Sequence, residues 1–136
     1  ARLAELVLIT ATKPLVISRP EIEWGPLKDT GTLTLEFFPR MRSPYVAIIY
    51  DRTLRLAKET GVRLALRPVL PMVMRGLKTT YDKGRYIFWD ASREARAAEV
   101  PFGNIFDNVG EPVRNCHSLF DWACKLGRER ELFGSF

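Results

Sequence analysis

Between residues 32 and 68 the chain carries two alternating apolar stretches, each halted by a proline, with a helical repeat between them. In Thr32-Leu33-Thr34-Leu35-Glu36-Phe37-Phe38, the residues Leu33, Leu35 and Phe37 share one face. Pro39 ends that strand because it has no amide hydrogen to give. Ser43-Pro44 then reads as a helix start, with Ser43 placed to cap free amides and Pro44 at the first helical position, where no donor is needed. Val46, Ile49, Thr53 or Leu54, and Ala57 follow helical spacing and leave Arg52, Arg55, Lys58 and Glu59 for solvent. Gly61 suits a left-handed C-cap. Val62, Leu64 and Leu66 alternate with Arg63, Ala65 and Arg67 until Pro68 stops the second strand. Strand, helix of about 17 residues, strand is a βαβ unit, and its two strands are predicted to be parallel.

After Pro71 the period changes from 2 to 3.6. Residues 81–100 are rich in helix formers and predict a helix. Residues 101–112, with Gly103, Asn104, Asn108 and Gly110, predict a loop. A further helix fits 113–126, with Cys116, Leu119, Phe120, Ala123 and Leu126 on its apolar side and Gly127 at its end. Upstream, residues 6–9 and 15–17 are apolar stretches short enough for strands, the first equally able to end a helix, and 21–31 read as a linker. Two strands alone make a poor sheet, so residues 1–20 or a second copy of the chain are expected to add to it.

The composition, 46% hydrophobic and 27% charged, excludes a disordered or collagen-like chain. No apolar run approaches the roughly 18 residues of a membrane span, and the first residues lack the apolar centre of a signal peptide. Two cysteines cannot build a disulfide scaffold, and a soluble, cytoplasmic protein is expected. The net charge of +5 comes from scattered arginines with acids beside them, as in Asp51-Arg52 and Arg93-Glu94. A solvated basic surface is therefore expected rather than a nucleic-acid stripe. The absent initial Met, with Phe133 and Phe136 at an apolar finish, predicts a piece of a longer polypeptide, residues 1–31 being an extension or the tail of a preceding domain.

Candidate chemistry is sparse. His117 is the only histidine. Cys116 and Cys124 are separated by about 12 Å along a helix axis, and no Cys-x-x-Cys pair exists to anchor zinc. The cysteines are expected to be buried and structural, the histidine on the surface, and Tyr86, Phe88 and Trp89 in the core. No metal site is expected. Ser43 remains, at a helix N-terminus on the carboxyl edge of a parallel sheet, where ligands of α/β sheets gather. Free amides and the helix dipole favour an anion there, and Arg40 and Arg42 add positive charge. From spacing alone, the reading of Ser43 as an N-cap and nothing more prevails.

Glu36-Phe37-Phe38-Pro39-Arg40-Met41-Arg42-Ser43-Pro44-Tyr45 resembles the strand and Ser-Pro-Tyr opening of the 2-hydroxychromene-2-carboxylate isomerases and kappa-class glutathione transferases. Leu66-Arg67-Pro68-Val69-Leu70 with Met74, Lys83-Gly84-Arg85-Tyr86-Ile87 and Val100-Pro101-Phe102 are similar to the same family in the same order. The resemblance implies an α/β, thioredoxin-like (DsbA-like) fold. Residues 32–78 would form its βαβ unit and 79–136 a helical insertion domain, with the C-terminal half of the thioredoxin domain missing. It implies a glutathione-dependent isomerase or transferase, commonly a dimer, acting on a small aromatic or unsaturated acid. Ser43 would hydrogen-bond the glutathione sulfur, with Pro44, Tyr45 and Lys83 completing the glutathione contacts. Ser43 stands where redox relatives carry the first cysteine of Cys-x-x-Cys, and Val46 stands at the second, so disulfide exchange is not expected. Arg40 and Arg42 depart from the family's acidic or apolar turn. The family's Gly-Asn-x-Pro-Pro stretch has no counterpart between Met74 and Lys83, and the chain stops before the cis-proline loop. These departures imply the alternative, a non-catalytic DsbA-like binding or assembly domain that has lost the glutathione site.

Overall fold

The computed structural model describes residues 25–103 and 109–135. The strands expected within residues 1–20, and Phe136, lie outside the described residues. Strand β1 (Thr34–Phe37) leads to helix α1 (Pro44–Thr60) and strand β2 (Arg63–Leu66). A 3-10 turn at Met72–Arg75 follows, then helices α2 (Tyr81–Ala97), α3 (Glu111–Lys125) and α4 (Glu129–Gly134). The described residues are thus mixed α/β, four helices with a small parallel sheet.

The strands pair in parallel, with Thr34 opposite Arg63 and Phe37 opposite Leu66, as the strand–helix–strand pattern predicts. Backbone bonds carry the pairing past both strand ends, from the Val69 amide to the Pro39 carbonyl (2.9 Å) and from the Arg63 amide to the Leu33 carbonyl (3.1 Å). The carboxyl ends of the strands are therefore held together beside the N-terminus of α1. No further strand joins either edge among the described residues.

Helix α1 buries two faces. Tyr50 and Ala57, with Val46 and Leu54, pack on Leu64 and Leu66 of the sheet and on Phe133 of α4. Tyr45 and Ile48 pack on Ala91 and Ala95 of α2, with Val100 and Phe102 closing the cluster. The two alanines are fully buried, and their small side chains let the helices approach closely. This second contact corrects the helical register read from the sequence. Ile49 is 40% exposed, because the buried arc of α1 turns towards Ile48 and Tyr50. Tyr50 stays inside by donating its hydroxyl to the Arg130 carbonyl (2.7 Å), which joins α4 to α1. Burial pushes its phenol up to about 12.

Three further expectations are corrected. Tyr86, Phe88 and Trp89 are not core but 62%, 43% and 52% exposed, since the small residues of α2 take the packing face. Cys124 is exposed and Cys116 only half-buried, while Val113 and Ala123 supply the buried side of α3. His117 is not a surface residue in its ring: Nε2 is enclosed without a hydrogen-bond partner, and burial lowers its pKa.

Candidate functional site at the N-terminus of helix α1

The turn from β1 to α1 is tight: the Ser43 amide donates to the Arg40 carbonyl (3.1 Å). Ser43 has the extended backbone of an N-cap (φ −83°, ψ 118°), and Pro44 opens the helix. The Ser43 carbonyl accepts from the amides of Val46 (3.0 Å) and Ala47 (3.3 Å). Its hydroxyl, however, makes no capping bond, and the first turn contains no acidic residue. The positive end of a 17-residue helix is therefore compensated by no side chain of its own first turn. Arg40 and Arg42 sit immediately before it, and the half-buried Ser43 hydroxyl is not spent on the helix. A thiolate, carboxylate or phosphate would be favoured at such a place.

Tyr45 is used differently. Its hydroxyl donates to Oδ2 of Asp90 on α2 (2.7 Å), and the other Asp90 oxygen accepts from Arg93 (2.8 Å). Burial, the Asp90 bond, and the charges of Asp90, Tyr86 and Glu94 push the Tyr45 phenol up to about 12. The phenol thus remains a protonated donor throughout the neutral range.

Tyr45 also fixes the relation between the helices. It meets α2 at Asp90, Ile48 meets Ala91 and Ala95, and a shallow cleft joins Arg52 and Arg55 to Ala97 and Ala98. The two helices therefore run in the same direction, offset by about 45 residues in number. Position 43 is level with the middle of α2, and Lys83 lies roughly 7 Å further along the axis, beyond the start of α1. Lys83, Tyr86, Asp90 and Glu94 recur at helical spacing and form one stripe. The Lys83 ammonium has no hydrogen-bond or ion-pair partner among the described residues. Its amide is held by the Thr80 hydroxyl, which caps α2 (3.3 Å).

Of the residues singled out in the sequence, Ser43, Pro44 and Tyr45 share one helix turn, whereas Lys83 stands on the neighbouring helix α2, roughly 7 Å further along the axis. Asp90 was missed. Its spacing from Tyr86 and Glu94 marks a helix face, yet nothing in the sequence pairs it with Tyr45. A groove of about 650 Å³, lined by Leu27, Leu33, Leu35, Leu56 and Val62, lies at the opposite end of α1. It is about 20 Å along the helix from Ser43 and plays no part in this site. Burial raises both cysteine thiols, so neither is an activated thiolate. No cluster of three metal-ligating side chains occurs among the described residues. None of their helices is long and apolar enough to cross a membrane. No protein-family model, curated protein or solved structure matches the chain.

Proposed function

We propose that this chain is a thioredoxin-like (DsbA-like) domain that binds glutathione, in an isomerase or transferase of the 2-hydroxychromene-2-carboxylate isomerase type. The observation that supports the reading most is the Ser43 hydroxyl. It stands at a helix N-terminus whose own first turn supplies no acid, on the carboxyl edge of a parallel strand pair, and it is not consumed as a cap. The donor set fits the ligand: a hydroxyl and a helix end for sulfur, an ammonium at Lys83 for a carboxylate. Bound glutathione would supply a thiol nucleophile towards a conjugated, planar acid.

The chain's own residues would then do three things. Ser43 donates a hydrogen bond that favours the thiolate over the thiol. The helix end, with Arg40 and Arg42, stabilises the same charge. Lys83 orients the tripeptide through a carboxylate, and the exposed Tyr86 beside it offers an aromatic surface to a planar acid. On this reading the protein works as a homodimer or within a longer chain, either of which would supply strands to sheet edges that lack partners among the described residues.

Calorimetric titration of glutathione into the chain and its Ser43→Ala variant tests the reading. Binding that weakens about tenfold in the variant is expected, as for a lost hydrogen bond to a charged group. Equal affinity would remove Ser43 from the site. No binding by the wild-type chain would favour the alternative of a non-catalytic DsbA-like assembly domain. The short Arg75–Thr80 connection, without Asn-x-Pro-Pro, already points that way.

A further inference from the structure

The Tyr45–Asp90 bond joins the turn that carries Ser43 to the helix that carries Lys83, and it does so between side chains 45 residues apart in sequence. We infer that Asp90 is a positioning residue of the glutathione site: by holding the Tyr45 hydroxyl, it sets the separation of Ser43 and Lys83. The inference rests on the reading above.

Three observations carry it. The bond is short, 2.7 Å, and part-buried, so water competes for it poorly. Asp90 is itself held, since Arg93 pairs with its second oxygen at 2.8 Å across one helix turn. The contact also comes at the point where α2 begins to project past α1. Below it, at Ile48, Ala91 and Ala95, the helices are fixed by packing. Above it, Lys83 and Tyr86 are exposed and no apolar cluster includes them. Without the Asp90 contact, the alignment of the first turn of α1 with the first two turns of α2 would fall to the apolar contacts of Tyr45 and Ile48 with Ala91 and Ala95 further down. A ligand bridging Ser43 and Lys83 would then have to supply that alignment from its own binding energy.

The test is glutathione titration into wild type, Tyr45→Phe, Asp90→Ala, the double variant and Asp90→Asn, with thermal melts and thiolate absorbance of the bound tripeptide. Tyr45→Phe and Asp90→Ala are each expected to weaken binding about fivefold and reduce the thiolate signal. The double variant should be no worse than Asp90→Ala alone, because Tyr45→Phe removes a bond that Asp90→Ala has already removed. Asp90→Asn keeps an acceptor oxygen and should restore most of the affinity, which a loss of charge or of general stability would not do. Folded variants with wild-type affinity, additive losses, or a lowered melting temperature with unchanged affinity would each overturn the positioning role while leaving the glutathione reading intact. A wild-type chain that binds no glutathione would overturn both. If Asp90→Ala fails to fold, the Tyr45→Phe and Asp90→Asn pair decides the matter alone.

Discussion

Helices α1 and α2 are both 17 residues long and lie side by side, yet their ends are built to different rules. At the start of α2, Thr80 caps the Lys83 amide, and Asp82 sits in the first turn against the dipole. At the start of α1 the serine makes no such bond, and no acid follows. The far ends are reversed. Gly61 closes α1 in the left-handed conformation at φ 76°, where glycine is at ease. Glu99 closes α2 at φ 56°, where a side chain is strained. So α1 has no side-chain cap or acid in its own first turn and is relaxed at its C-terminus, and α2 is the opposite. A helix whose own first turn supplies no cap and no acid, beside a strand pair, is suited to hold an anion. One capped at its start and strained at its finish has spent its termini on the fold.

The largest effect on this comparison is expected at Gly61. A Cβ there would stand 2.7 Å from the Asp29 carbonyl oxygen, a backbone atom that cannot swing aside. Asp29 is also tied to α1, its amide donating to the Thr60 carbonyl (2.7 Å). The left-handed conformation alone costs a non-glycine residue about 1–2 kcal/mol, and the clash adds to it. Gly61→Ala is therefore expected to destabilise by at least about 2 kcal/mol in denaturant unfolding. A change under about 0.5 kcal/mol would show that the turn relaxes and that α1 is not closed as described.

Glu99 gives the converse. The Glu99 amide donates to the Arg96 carbonyl (3.2 Å) and the Val100 amide to the Ala95 carbonyl (2.9 Å). That is a Schellman closure, and Val100 packs on the Ala91 and Ala95 cluster as such a motif requires. Glycine at position 99 would relieve the strain and give back part of the gain as unfolded-chain entropy. Glu99→Gly is expected to stabilise by about 0.5–1 kcal/mol and raise the melting temperature by roughly 2–4 °C. Destabilisation would mean that the Glu99 side chain does more than occupy the turn.

The same asymmetry explains what could be read from the sequence. The βαβ unit was legible because Pro39, Ser43-Pro44, Gly61 and Pro68 punctuate it and each has a backbone reason to do so. Parallel pairing and the left-handed cap at Gly61 followed. The buried register of α1 was less legible, because Ile48 is drawn inside by α2 and Tyr50 by the sheet and α4, all distant in sequence, leaving Ile49 outside. The exposure of Tyr86, Phe88 and Trp89 was illegible for a related reason. Hydrophobicity says that aromatics prefer the interior, but Ala91 and Ala95 win it because they let α2 come close. At the site, Ser43, Pro44 and Tyr45 were marked by local pattern and Lys83 by family resemblance. Asp90 was not, since a hydrogen bond across 45 positions leaves no periodic trace.

The smallest effects come from the two N-termini compared directly. Thr80 accepts a hydrogen bond from the third amide of α2, so Thr80→Ala removes a working cap and should cost about 1 kcal/mol. Ser43 occupies the same position on α1 but contributes no such bond. Its replacement by alanine leaves the Val46 and Ala47 amides on the position-43 carbonyl and removes only an uncommitted hydroxyl. Ser43→Ala should therefore cost a few tenths of a kcal/mol at most, well below an ordinary cap loss of about 1 kcal/mol. Parallel urea titrations of the two variants read the difference directly. If Ser43→Ala costs as much as Thr80→Ala, the serine is a cap in solution, its hydroxyl is committed to the helix, and the contrast between the two helices fails at the one residue on which the glutathione reading most depends.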